Sequence, residues 1–239
     1  DATIEYLQRL EEPWRVLPLQ LGIPEGERRE PYMAGISTYG LRNAGNLMAH
    51  RARSIVGYHG NELGRYQQLL GINDDPQILF AQLANPNIWQ LLNVRFLMTD
   101  RDQPPFQGAT RVAGPVRNAA GNTVHLYRMP GDNPLAWVAP VAVKAPDPAV
   151  LATLREPAFD IRSAALFDTA AAVQGATVDR PPEPIDLPVE VVSYAPGDIR
   201  LRLSSPAPEG SALVVSENFY PGWTATVDGR PAEAARADY

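Results

Sequence analysis

The chain has 239 residues, no cysteine and a formal charge of −6. Its 21 lysines and arginines are scattered and outnumbered by acids, which argues against a phosphate-gripping surface and a nucleic-acid partner, and the lack of cysteine excludes disulfides, thiolate nucleophiles and cysteine metal sites. A hydrophobic share of 45% with 20% charge is globular, while 24 prolines, about one residue in ten, favour short elements joined by fixed turns over a helical bundle.

Thr3 to Glu11 predicts a helix with Ile4, Leu7 and Leu10 on one face. Pro13 ends it, and Trp14 to Leu19 follows as a short apolar strand. Gly22 to Gly45 is rich in glycine, proline and charge and is expected to be a long loop. Arg53 to Tyr58 fits a strand, and Glu62 to Leu70 fits a helix stopped by Gly71.

Asp75-Pro76 is a helix-start signal, because the aspartate accepts a free backbone N–H and proline at the first helical position loses nothing. That helix is expected to reach Leu83, with another from Pro86 to Leu92 and a strand from Val94 to Thr99. Ala109 to Val116 and Asn122 to Met129 predict paired strands around Gly121. Asp147-Pro148 repeats the start signal before a helix ending near Arg155.

No apolar run approaches the roughly 18–20 residues of a membrane span. The best candidate, Ala164 to Ala176, is interrupted by Asp168 and Gln174. Asp179 to Pro188 is proline-rich and predicts a stiff connector. Beyond it, Ile199, Leu201 and Leu203 alternate with Arg200, Arg202 and Ser204, Leu213 and Val215 continue the pattern, and Trp223, Ala225 and Val227 alternate with threonines. Asp228-Gly229 suits the positive φ angles of a tight hairpin turn. The expected class is α+β: a mixed α/β region over residues 1–131, then an antiparallel β-sandwich-like region with one short helix over residues 132–239.

The chemistry-bearing residues are sparse. The three histidines, His50, His59 and His125, lack the spacing of ligands on one helix turn, so no metal site or cofactor is expected. No serine stands in a GxSxG elbow, and Gly57, Gly60 and Gly64 lack the pattern of a phosphate loop. Glu11-Glu12 and Asp74-Asp75 are adjacent pairs whose side chains diverge, the second explained by capping. The aromatic group Phe219, Tyr220 and Trp223 around Pro221-Gly222 has two readings: a platform for a sugar ring, with Tyr220 and Trp223 as contacts, or a Trp223 that plugs a β core. An enzyme would need a concave pocket, with Tyr58, His59 and Arg65 as its best candidates; no catalytic residue is assigned.

Two groups of segments carry a resemblance. The first comprises Gly57-Tyr58-His59-Gly60, Arg65-Tyr66-Gln67, Leu91-Leu92-Asn93-Val94-Arg95-Phe96 and Asn133-Pro134-Leu135-Ala136-Trp137-Val138. The second comprises Val191-Val192-Ser193-Tyr194, Leu213-Val214-Val215-Ser216-Glu217, Phe219-Tyr220-Pro221-Gly222-Trp223-Thr224-Ala225-Thr226-Val227-Asp228-Gly229 and Arg236-Ala237-Asp238-Tyr239. In order and wording these resemble the C-terminal extracytoplasmic region of the YfhO family of bacterial membrane proteins, from about Tyr32 onward. Phe219 stands where that family commonly has a second tyrosine, and Asp238 where asparagine is usual.

The resemblance implies a multi-span inner-membrane protein similar to GT-C glycosyltransferases that use lipid-linked sugars, with this region outside the membrane. Its partners would be the transmembrane part of the same polypeptide and a glycan or lipid-linked sugar. In that class the catalytic acid belongs to a loop between early membrane spans, which matches nothing in this chain, so no catalytic residue carries over. The matching residues are then fold determinants: Gly222 and Gly229 for backbone shape, Trp223 for packing. The family pattern continues beyond Tyr239, which predicts an incomplete final strand with an open edge. Three functions follow: a non-catalytic accessory domain, a glycan-binding module, or an independent enzyme.

Overall fold

The computed structural model describes residues 1–11, 13–19, 46–56, 63–72, 74–118, 123–176, 178 and 180–239. The long Gly22–Gly45 segment, the turn at Gly121 and the end of the Arg53–Tyr58 segment lie outside them. The fold is mixed α+β, and the chain divides into two compact units, Asp1–Asn133 and Pro134–Tyr239.

The first unit opens with helix α1 (Ala2–Gln8), whose Asp1 carboxylate accepts the Thr3 and Ile4 N–H groups that the first turn leaves unpaired. Then follow β1 (Arg15–Leu19), α2 (Asn46–Ala49), α3 (Gly64–Leu70), α4 (Pro76–Leu83), α5 (Pro86–Leu91), β2 (Val94–Thr99), β3 (Thr110–Arg117) and β4 (Thr123–Arg128). Gly71 ends α3 at φ 69°, and a Cβ there would meet the Ile78 side chain at 2.7 Å. Asp75 caps α4 and Asn85 caps α5, each side chain accepting a backbone N–H.

The strands form one sheet in the order β1-β2-β4-β3, with β1 parallel to β2 and the other pairs antiparallel. Alternation along β2 and β4 sends Phe96, Met98, Val124 and Leu126 toward α1, where they bury with Ile4, Leu7, Trp14 and Val16. Phe96 makes T-shaped contacts with Tyr6 and Trp14, each at 6.0 Å between centroids. Leu97, His125 and Tyr127 take the alternate positions and are buried as well, so the sheet is covered on both faces. Gly114 on β3 has φ 91°, and a Cβ there would meet the Val124 carbonyl oxygen at 2.5 Å; only glycine lets β3 approach β4 so closely.

The second unit holds β5 (Ala136–Ala139), β6 (Ala142–Ala145), α6 (Asp147–Arg155), β7 (Ala165–Asp168), β8 (Val189–Ala195), β9 (Asp198–Leu203), β10 (Ala212–Val215), β11 (Ala225–Val227) and β12 (Arg230–Ala232). It is β-rich with one helix. Its strands pair two by two: β5 with β10, β8 with β9 and β11 with β12 antiparallel, and β6 with β7 parallel. α6 bridges the parallel pair and buries Val150 and Leu154. Isolated bridges widen that pair, Val143 to Ala176 on one side and Phe167 to Ala237 on the other. The chain end expected to leave an open edge is thus itself paired to β7.

Of three local expectations, one holds and two change. β9 keeps its alternation, with Ile199, Leu201 and Leu203 half-buried against exposed Asp198, Arg200 and Arg202. On β10 the packed residue is Val214, 6% exposed, whereas Leu213 is 43% exposed. Val214 pairs with the buried Trp137 and Leu213 with the equally buried Val138, so β5 is covered on both faces and β10 only on the face that carries Val214. On β11, Val227 is 61% exposed, because a hairpin of two three-residue strands has no second layer over its tip.

Candidate functional site

The polar cluster with the most chemistry sits beside β4. His125 and Tyr127 are two positions apart and share one face of the strand, their rings stacked at 6.2 Å and 27°. The loop after β2 folds over them. The Tyr127 hydroxyl donates to the Asp102 carbonyl at 2.5 Å, shared with the Arg101 carbonyl at 3.0 Å. This fixes the loop backbone and brings the Asp102 carboxylate, Oδ1, to 3.9 Å from His125 Nδ1. Arg111, on β3, holds the same oxygen at 2.6 Å.

An aspartate beside a histidine suggests acid–base chemistry, but the exposures oppose it. A general base must reach the proton it takes. The His125 side chain is only 4% exposed, behind an Asp102 that is 69% exposed. Burial lowers the His125 pKa; Asp102 opposes that shift, Arg111 adds to it and Asp100 opposes it. The imidazole is therefore a neutral buried group whose Nδ1 has no hydrogen-bond partner among the described residues. The exposed carboxylate and guanidinium neutralise each other. The cluster ties the loop to the sheet. Among the described residues, no three of His, Asp and Glu converge as metal ligands.

The aromatic group lies in the turn between β10 and β11. Tyr220 is 50% exposed and Phe219 38%, while Trp223 is half-buried. Trp223 does not plug a core. Its indole Nε1–H donates to the Asn218 carbonyl at 3.2 Å and its backbone N–H to the Tyr220 carbonyl at 3.3 Å, so it closes its own loop. Gly222, at φ 112°, makes the bend. The hairpin that follows is too thin to enclose an indole, which is why the ring stays near the surface.

Of the other candidates, Tyr58 and His59 lie outside the described residues, so the proposed pocket is visible only at Arg65. Arg65 is half-buried on α3. The neighbouring Tyr66 donates its hydroxyl to the Ile55 carbonyl at 2.5 Å, and burial pushes its pKa upward. His50 is exposed, and its carbonyl accepts from Gln8 Nε2 at 3.1 Å.

Two groups escape a sequence reading. The His125-x-Tyr127 spacing on a strand, with charges in the preceding loop, is the signal that could have located the first. Asp238 is the second: it is 4% exposed and its Oδ1 accepts the Leu166 N–H at 2.8 Å. Nothing in its neighbourhood along the chain announces burial.

The quoted motif segments meet one another. Asn93 Nδ2 donates to the Asn133 carbonyl, and Asn133 Nδ2 to the Val94 carbonyl. The Tyr194 hydroxyl donates to Glu217. β10 pairs with β5, and the Ser216 N–H extends that pairing to the Leu135 carbonyl at 2.7 Å. No protein-family model, curated protein or solved structure matches the chain. No helix among the described residues is long and apolar enough to cross a membrane.

Proposed function

We propose that this chain is a non-catalytic extracytoplasmic part of a polytopic bacterial inner-membrane protein that resembles the YfhO family and, through it, GT-C glycosyltransferases. It acts as a scaffold beside the membrane-embedded machinery of the same polypeptide. The observation that carries this reading is that, among the described residues, the motif segments are bonded to one another. Asn93 pairs with Asn133, Tyr194 with Glu217, and β5 with β10. Residues that interlock in this way carry architecture, and chemistry is left to another part of the polypeptide.

The test has two arms. Reporter fusions at the chain's position in the parent protein should be active outside the cytoplasmic membrane only. Deleting the chain should abolish the parent's sugar transfer, while the isolated chain binds neither glycans nor lipid-linked sugars. A parent that keeps full transfer without the chain, or a reporter active only in the cytoplasm, refutes the reading.

One observation favours a second reading, glycan recognition by the β10–β11 turn: Phe219 and Tyr220 stay exposed beside a Trp223 held by its own loop. Exposed aromatic planes match the apolar faces of sugar rings. Saturable binding of a cell-envelope glycan, lost in Tyr220→Ala, would establish it; no binding by the intact chain removes it.

A further inference from the structure

β6 covers one side of β7, and the other side is closed by the return of the chain at residues 236–239. Ala237 bridges Phe167, and the Asp238 backbone N–H donates to the Leu166 carbonyl at 2.7 Å. The Asp238 side chain then accepts the Leu166 N–H through Oδ1 at 2.8 Å. One residue fills both hydrogen-bonding positions of Leu166, its carboxyl taking the place of a strand carbonyl. This docking costs the carboxyl its solvent. Asp238 is 4% exposed, and its Oδ2 has no hydrogen-bond partner among the described residues.

We propose that Asp238 is a proton-operated latch: with its carboxyl protonated, residues 236–239 close the edge of β7, and ionisation loosens them.

A neutral acid with one unpaired oxygen is tolerated inside a protein, whereas a carboxylate in the same place has lost its hydration with only one N–H in return. Burial accordingly pushes the carboxyl from 3.8 up to about 7, with the Leu166 N–H pulling the other way. Charged residues on the elements around it are Lys144 on β6, Asp168 on β7, Asp147 and Arg155 on α6, and Arg236 on its own segment. None of them contributes to that shift, which burial and the single N–H account for. The segment turns with left-handed angles, φ 54° at Asp238, which an aspartate tolerates, and φ 70° at Tyr239, which a tyrosine adopts less readily.

The sign follows from linkage. The released carboxyl titrates near 3.8 and the docked one near 7, so the docked form binds the extra proton between them. Opening therefore rises about tenfold per pH unit across that window and levels off above it. Acid tightens the latch, and neutral pH leaves it at its loosest.

Hydrogen exchange of the whole chain, corrected for intrinsic rates, tests this from about pH 5 to about pH 8.5. Protection of the Leu166 and Asp238 amides is expected to fall about tenfold per pH unit up to about pH 7 and then level. Asp238→Asn should hold that protection flat, and the β8–β9 amides should stay flat in both proteins. A flat profile in the unaltered chain, a slope that survives in Asp238→Asn, or parallel loss in β8–β9 overturns the latch. If Asp238→Asn fails to fold, the carbon-13 shift of the Asp238 carboxyl in the unaltered chain decides. A midpoint near 7 supports the proposal, and an ordinary carboxylate midpoint removes it.

Discussion

Asn93 and Asn133 hold each other across 40 residues of chain. Asn93 Nδ2 donates to the Asn133 carbonyl at 2.7 Å, while Asn133 Nδ2 donates to the Val94 carbonyl at 2.8 Å and the Pro130 carbonyl at 3.2 Å. Both residues are buried and left-handed, with φ of 51° and 43°. Asparagine suits the place because it tolerates that backbone and carries donors for buried carbonyls.

The clamp makes a graded prediction. Asn133→Ala loses two hydrogen bonds and keeps the strained φ, so it should cost about 2–4 kcal/mol. Asn133→Gly should recover about 1 kcal/mol of that by relieving the backbone. Urea unfolding followed by exchange protection in β2 and β4 reads both. Equal losses for the two variants would show that the backbone angle carries no strain.

His125 sets an acid limit for the first unit. Burial is the main cause of its lowered pKa, so the folded state favours the neutral ring. Its contribution is present above the ordinary histidine value of 6.5 and is lost as pH falls through the depressed one. The urea midpoint of β2–β4 protection should therefore drop on acidification, and His125→Gln should flatten that drop. Imidazole NMR titration is the direct check: a midpoint at or above 6.5 contradicts the burial argument.

The two aspartate-proline signals should differ in worth. Asp75 caps α4, accepting the Gln77 N–H at 2.8 Å, so Asp75→Ala should cost about 1 kcal/mol. At α6 the cap position is Pro146, which makes no side-chain cap bond, and Asp147 stands in the first turn. Asp147→Ala should cost the few tenths of a kcal/mol that a first-turn acid gains from the helix dipole. Thermal melts of the paired variants separate them; equal costs would mean that the cap bond adds nothing.

In the β10–β11 turn, Tyr220→Ala should change stability by no more than about 0.5 kcal/mol, because the ring is half in solvent. Trp223→Phe removes the N–H that reaches the Asn218 carbonyl and should cost about 1 kcal/mol. A large loss from Tyr220→Ala would place that ring in the packing, against its exposure.

Signals that act over a few residues are legible in the chain. Asp75-Pro76 starts a helix where capping says it should, Val94–Thr99 is a strand to the residue, and Asp228-Gly229 turns with φ of 50° and 76°. Signals that depend on a distant partner are not. The inward residue of β10 is Val214 instead of Leu213, and the strand it pairs with, β5, lies more than seventy residues earlier. The surface position of Trp223 reflects the thinness of the unit around it, which no local pattern encodes. His125, whose spacing from the other histidines points to no metal site, owes its burial to a loop pinned over it by Tyr127.

The bond between Asp238 and Leu166 spans 72 positions. During synthesis β7 consequently waits with one side bare until residues 236–238 have emerged. The four strands described in the first unit are complete by residue 128, and Asn133 ties them a few residues later. The two units thus close on different schedules: the sheet of the first pairs within residues made early, whereas the β7 edge of the second stays open, and available to other strands, until residues 236–238 have been made.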